Sequence, residues 1–189
     1  MRGTVSDSTV PPRMNFIEEH LIPGLRAIDG EPLVGANACF EAMDTAGLLI
    51  LGERGSAKRR LQAFTRNYLP TAYAEIVELL SLGVRSGIGY TALPRGGMLP
   101  RDDRPERHLE YLEEGVWIHV PSLTRDVVDG LIAYRADLER DEDLKRAYRR
   151  VVDESARHGL NGYRSFLRRN GIEPRTDRNV ESRIDFALE

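Results

Sequence analysis

The chain has 189 residues, 41% of them hydrophobic and 30% charged, with 27 Lys and Arg against 30 Asp and Glu for a formal net charge of -3. That length and balance fit one folded domain with its own core, and they exclude a global positive field that would draw the chain onto nucleic acid or an anionic membrane, so any phosphate recognition must be local. Cys39 is the only cysteine, which rules out an intrachain disulfide and a multi-cysteine metal centre and fits a reducing, cytoplasmic setting.

Residues 1–14, MRGTVSDSTVPPRM, are small, polar and proline-containing, and are expected to form a disordered arm. They lack the apolar centre of a signal peptide, and the apolar run AGLLILG is too short to cross a bilayer, so no membrane association is expected. A helical domain is expected over 15–171. Asn15 and Glu18 have the spacing of a capping box, and Ile17, Leu21, Leu25 and Ile28 recur at helical intervals, with Pro23 threatening a kink. Cys39, Phe40, Met43, Gly47, Ile50 and Leu51 mark a second helix. A third starts near Ser56 and buries Leu61, Phe64 and Tyr68 while Lys58, Arg59, Arg60 and Arg66 stay wet. After a corner at Pro70, a fourth carries Tyr73, Ile76, Val77, Leu80 and Val84.

From Gly87 to Gly115 glycine and proline punctuate the chain too often for a long element. Val116, Ile118 and Val120 then alternate with Trp117 and His119, the period of a short strand with one buried face and His119 in solvent. Its partner is either 90–93 or 98–99, giving a small β-hairpin after the fourth helix. Ser122 is the expected cap of a fifth helix with Val127, Val128, Leu131, Ile132 and Leu138, and Asp141 that of a sixth with Leu144, Tyr148, Val151 and Val152. Tyr163, Phe166 and Leu167 make a shorter seventh, closed by Asn170 and Gly171. Residues 172–189 form a tail, mobile or docked on a neighbour. The fold class is thus mainly α: a single helical bundle with a small β-hairpin.

The stretch Tyr68–Gly97 holds the strongest functional signal, because an amphipathic helix runs into Arg85 and breaks in a glycine-rich turn that ends at Tyr90. A guanidinium at a helix end, followed by a turn that leaves it accessible, suits a phosphate. With Arg85-Ser86-Gly87-Ile88-Gly89-Tyr90, the segment resembles the HEPN superfamily of helical nucleotide-binding domains, in which an arginine late in a helix is followed, after four to six residues, by histidine. Here Tyr90 stands at the histidine position. The resemblance implies a helical bundle that dimerises and, in active members, cleaves RNA without metal or cofactor across the dimer interface. Arg85 would stabilise the crowded phosphate and Tyr90 would take the proton-moving place, with Ser86, Arg95 and Arg66 as further phosphate contacts. A phenol titrates near 10 and an imidazole near 6.5, so the replacement implies binding with degenerate or no nuclease activity. Arg101 and His108 give a second formal match, set aside because that arginine lies in a proline and aspartate loop.

Simpler readings stand beside these. Arg85 can serve its own helix as a C-terminal cation, worth about 0.3–1 kcal/mol, and Tyr90 can be a packing residue. Cys39 reads as a small core residue, and His20, His119 and His158 lack partners at metal-ligand spacing. No phosphate-binding glycine loop of the nucleotide-triphosphate or dinucleotide type is present. The rival to an RNA- or nucleotide-binding homodimer is a structural or protein-interaction module without chemistry.

Overall fold

The structure is a computed structural model that describes residues 16–28, 31–53, 55–86 and 97–173, leaving the side chains of 82–86 and 160 outside the described set. Among the described residues it is mainly α, with α1 Ile22–Ala27, α2 Pro32–Leu51, α3 Ala57–Tyr68, α4 Ala72–Ser86, α5 Val120–Leu138 and α6 Glu142–Asn170, and a three-stranded sheet of β1 Met98–Arg101, β2 Tyr111–Leu112 and β3 Gly115–His119. The expected arm 1–14, Asn15 and most of the tail lie outside the described residues.

Before α1 the chain makes a π-helical turn, Ile17–Leu21, in which the Ile22 N–H bonds back five residues to the Ile17 carbonyl. Pro23 follows in the first turn of α1. A proline lacks the donor of the α-ladder and clashes with the carbonyl four residues back, and the wider turn absorbs both defects. The kink expected at Pro23 is therefore a change of helical register. The Glu18 carboxylate lies 3.5 Å from the buried guanidinium of Arg135 in α5, which Glu139 approaches at 3.0 Å.

Pro32 opens α2 at a position where no amide donor is needed, and Gly52 closes it in the left-handed conformation. α2 is the central helix: Ala36, Cys39, Phe40, Met43, Ala46 and Leu49 are buried, and α3, α5 and α6 pack around it. Gly47 sets the closest of these approaches, because a Cβ there would lie 2.0 Å from the Arg60 carbonyl oxygen of α3. By length and composition α2 is the one described helix that could cross a bilayer, and half of its apolar window is buried against neighbouring helices.

Ser56 caps α3 by accepting the Arg59 N–H at 3.2 Å, as its sequence predicts. Leu61 and Phe64 are buried and Tyr68 partly so. Arg60 is not wet as expected: Nε and Nη2 donate to Asp44 of α2 at 2.8 and 2.7 Å, and both side chains are mostly covered. The α3–α4 corner falls at Pro70, and Tyr73, Ile76, Val77 and Leu80 form the buried face of α4. Val84 lies among the side chains outside the described set.

The strand order is β1-β3-β2, with β1 parallel to β3 and β2 antiparallel to it. A hairpin therefore exists, but β2 closes it through Leu112↔Gly115; the expected partner at 98–99 pairs as a parallel strand. Gly115, at φ +147, brings its backbone so close to Gly97 that a Cβ would fall 2.2 Å from the Gly97 carbonyl. As the middle strand, β3 is covered on both faces, which overturns the expectation of one wet face: Trp117 and His119 are buried along with Val116 and Ile118.

Without a loop β3 turns into α5, whose cap is His119 rather than Ser122; the imidazole Nδ1 accepts the Ser122 N–H at 3.3 Å. Val127, Val128, Leu131 and Leu138 are buried as expected, whereas Ile132 points outward. The expected sixth and seventh helices are one. Asp141 caps it by accepting the Asp143 and Leu144 N–H groups at 2.8 and 3.1 Å, and Gly171 ends it. Gly159, Asn161 and Gly162 weaken a helix, but no proline separates the two halves.

Candidate functional site

Of the residues singled out by sequence, Arg85 and Ser86 are placed by their backbone in the last turn of α4. The buried side chains of Tyr73, Ile76, Val77 and Leu80 fix the axis of that helix within the bundle. Tyr90 and Arg95 lie outside the described residues. Arg66 is exposed in the last turn of α3, beside the α3–α4 corner. Lys58, near the start of α3, pairs with Glu78 of α4, so the two helices run antiparallel and Arg66 and Arg85 lie at opposite ends of the pair, about 20 Å apart along α4 at 1.5 Å per residue. The run Lys58-Arg59-Arg60 is met by carboxylates at each position, from Glu78, Glu53 and Asp44.

A second constellation links α4, the segment after β1, β3 and α5. His108 Nδ1 accepts the backbone N–H of His119 at 3.1 Å, so in the neutral ring the proton is on Nε2, which lies 2.8 Å from Tyr73 Oη. Tyr73 donates in turn to Asp126 Oδ2 at 2.9 Å, and Asp126 Oδ1 accepts from Arg125 Nε and Nη2 at 3.1 and 2.9 Å. His119 fixes its own ring by accepting at Nδ1 from Ser122, with Oγ 2.8 Å away, and donating from Nε2 to the Asp102 carbonyl at 3.1 Å. The direction of donation is thus set from His108 through Tyr73 to Asp126.

Burial sets the titration of this chain. It pushes the Tyr73 phenol far above its ordinary value, and the Asp126 carboxylate adds to the effect, so Tyr73 remains a donor. His108 is lowered, first by desolvation, with His119 and Arg125 also opposing its charge and Asp126 partly offsetting them. Cys39, buried in α2 with Sγ 3.4 Å from Thr124 Oγ1, is raised to about 11 by burial, as befits a core thiol rather than a reactive one.

Alongside lies a surface cleft of about 570 Å3 whose wall includes Asp102, Thr124 and Arg125, with Arg26, Glu31 and Asp129 at its polar rim. Its lining holds Arg26 and Arg125 together with Glu31, Asp102 and Asp129, a mixed set that suits a zwitterionic or mixed polar surface better than a polyanion. Across β3 the Trp117 ring lies between Arg107, 4.9 Å from its centroid, and Arg101, 5.7 Å away. Arg101 and His108, the second formal sequence match, both reach the end of β3, yet Arg101 covers Trp117 and His108 is bonded to Tyr73 and His119. Among the described residues no group of three or more His, Cys, Asp or Glu is arranged to hold a metal.

No protein family, curated protein or solved structure matches this chain.

The Tyr73–His108–Asp126 chain has no sequence signature. Its members are 35 and 53 residues apart, and each reads alone as a core tyrosine, a loop histidine and a surface aspartate. The one available signal was that Tyr73 opens an otherwise aliphatic buried face, since a fully buried phenol needs a polar partner.

Proposed function

We propose that the protein is a cytoplasmic HEPN-like RNA or nucleotide-phosphate binding protein, acting as a homodimer without metal, in which Arg85 meets the phosphate and nuclease activity is degenerate or lost because Tyr90 takes the histidine position. The observation that supports it is the position of Arg85 in the last turn of α4, a helix pinned by four buried side chains and followed by a glycine-rich segment. A helix held on a fixed axis limits the backbone reorganisation needed to present a cation to an anion.

The test compares the native protein with Arg85→Ala and Tyr90→His in binding and cleavage of single-stranded RNA at low and moderate salt. Arg85→Ala should weaken binding about tenfold and flatten its salt dependence, as expected when one phosphate contact is removed. Tyr90→His should raise metal-independent cleavage above the native level. Equal and salt-insensitive background for all three proteins removes the reading.

A structural or interaction module is favoured by a different observation. The basic run on α3 is neutralised within the chain, and the largest exposed aromatic side chains described include a pair, Tyr163 and Phe166, on α6. Loss of RNA binding with retained self-association would support it.

A further inference from the structure

Beyond Val151 the described side chains of α6 are exposed or only partly covered as far as Asn170, a length of about 28 Å at 1.5 Å per residue. Five of its apolar and small residues, Val152, Ser155, Gly159, Tyr163 and Phe166, follow at intervals of three, four, four and three, which at 100° per residue places them on one stripe about 80° wide, and Ala156 and Leu167 continue the apolar face beyond its Tyr163 side. Tyr163 and Phe166 are 54% and 49% exposed. At the body end the stripe enters an apolar cleft of about 410 Å3, lined by Val152, Ser155, Leu48 and Phe16 among others.

The spacing is the same read in either direction from Gly159. The near half of the stripe is a hollow and the far half carries two aromatic knobs, at equal distances of about 6 and 10 Å from the centre. An isologous two-fold contact needs this arrangement, because one surface must supply both the knob and the hole. We infer that a second copy of this chain covers the stripe: α6 packs antiparallel against α6 of its partner about Gly159, and Tyr163 and Phe166 of each copy fill the Phe16–Leu48–Val152–Ser155 cleft of the other.

A further observation fits this occupant. Among the described residues nothing lies within 4 Å of a Cβ built at Gly159 or Gly162, so neither glycine is required by packing against them, although both weaken an exposed helix. At the two-fold a glycine lets the two backbones approach closely. The interface is independent of the phosphate reading of Arg85.

Sedimentation equilibrium of the full chain across the micromolar range tests the inference, with circular dichroism to follow folding. The native protein should be dimeric, and Tyr163→Glu with Phe166→Glu should raise the dissociation constant roughly 100-fold, as for two central aromatic anchors, without loss of the fold. Under oxidation Gly159→Cys should cross-link two copies, while Asn161→Cys, on the opposite face, should not. A native monomer at 100-fold above this range, or a dimer indifferent to the double glutamate variant, would overturn the assignment. So would a protein that dimerises only when residues 1–15 are deleted, since the chain itself would then cover the cleft.

Discussion

α2 and the projecting half of α6 treat glycine in opposite ways. In α2, Gly47 lies under the Arg60 carbonyl, where even a methyl group would overlap backbone atoms. In α6, Gly159 and Gly162 face open space. Both helices are long, and both carry residues that cost helix stability relative to alanine. In α2 the cost is offset inside the chain, by backbone-to-backbone packing of α3 that also brings Arg60 onto Asp44. In α6 no described residue supplies an offset, and on the inferred dimer it comes from the second copy, which makes the pair of helices a contrast between a fold contact and an assembly contact.

The sharpest way to break that contrast is Gly47→Ala. The added Cβ meets backbone rather than a flexible side-chain tip, so α2 and α3 must separate and the bidentate Arg60–Asp44 contact must lengthen with them. Overpacking of this kind costs about 1–3 kcal/mol, and loss of part of the buried ion pair adds to it. A chemical denaturation midpoint well below that of the native protein is expected. An unchanged midpoint would mean that the α2–α3 spacing is soft and that Gly47 is no more committed than Gly159.

The contrast also explains which parts of the fold were legible in the sequence. Helices with one face on the core announce themselves, and the positions Leu61, Phe64, Tyr73, Ile76, Val77, Leu80, Val127 and Leu131 are all buried as their spacing predicts. The helix start near Ser56 and the caps at Asp141 and Gly171 were equally legible, whereas the expected cap at Ser122 was not the one used, since His119 takes that place. Two-body relations were not legible. His119 alternates with Ile118 and was expected in solvent, but it ends a central strand and begins a helix, and burial on both faces overrides the period of two. The continuity of α6 was not legible from two separate apolar groups, although without proline Gly159 and Gly162 only weaken a helix. At the candidate site, the last-turn position of Arg85 follows from the α4 periodicity, whereas the separation of Arg66 from it depends on the antiparallel sense of α3 and α4, which no short motif records.

The Tyr73 cluster carries a further test, intermediate in size, on the side of contacts satisfied within the chain. His108 titrates below its ordinary value in the folded protein, chiefly because of burial. The unfolded chain therefore takes up a proton at higher pH than the folded one, near 6.5. His108 contributes fully to stability above that pH, and the contribution falls as pH drops through 6.5 towards the folded value. Protonating Nδ1 also removes the acceptor for the His119 N–H. Urea midpoints should decline between pH 7.5 and 5.5 in the native protein and decline less in His108→Gln, which keeps a donor and an acceptor but does not titrate. Parallel slopes in the two proteins would remove His108 as the source.

The smallest effect belongs to the open glycines, and its sign is what matters. Below the dimer dissociation constant, Gly159→Ala with Gly162→Ala should increase helical ellipticity, because alanine favours a helix interior by about 0.8–1.0 kcal/mol per site over glycine and no described residue meets the new methyl groups. Above that constant the same methyls lie at or beside the helix crossing and should loosen the dimer. One substitution pair would thus strengthen the isolated helix and weaken the assembly, an opposition that Gly47→Ala cannot produce because its contact is intramolecular. If the double alanine variant loses helicity at low concentration, the glycines serve a contact within the chain, and α2 and α6 no longer differ in kind.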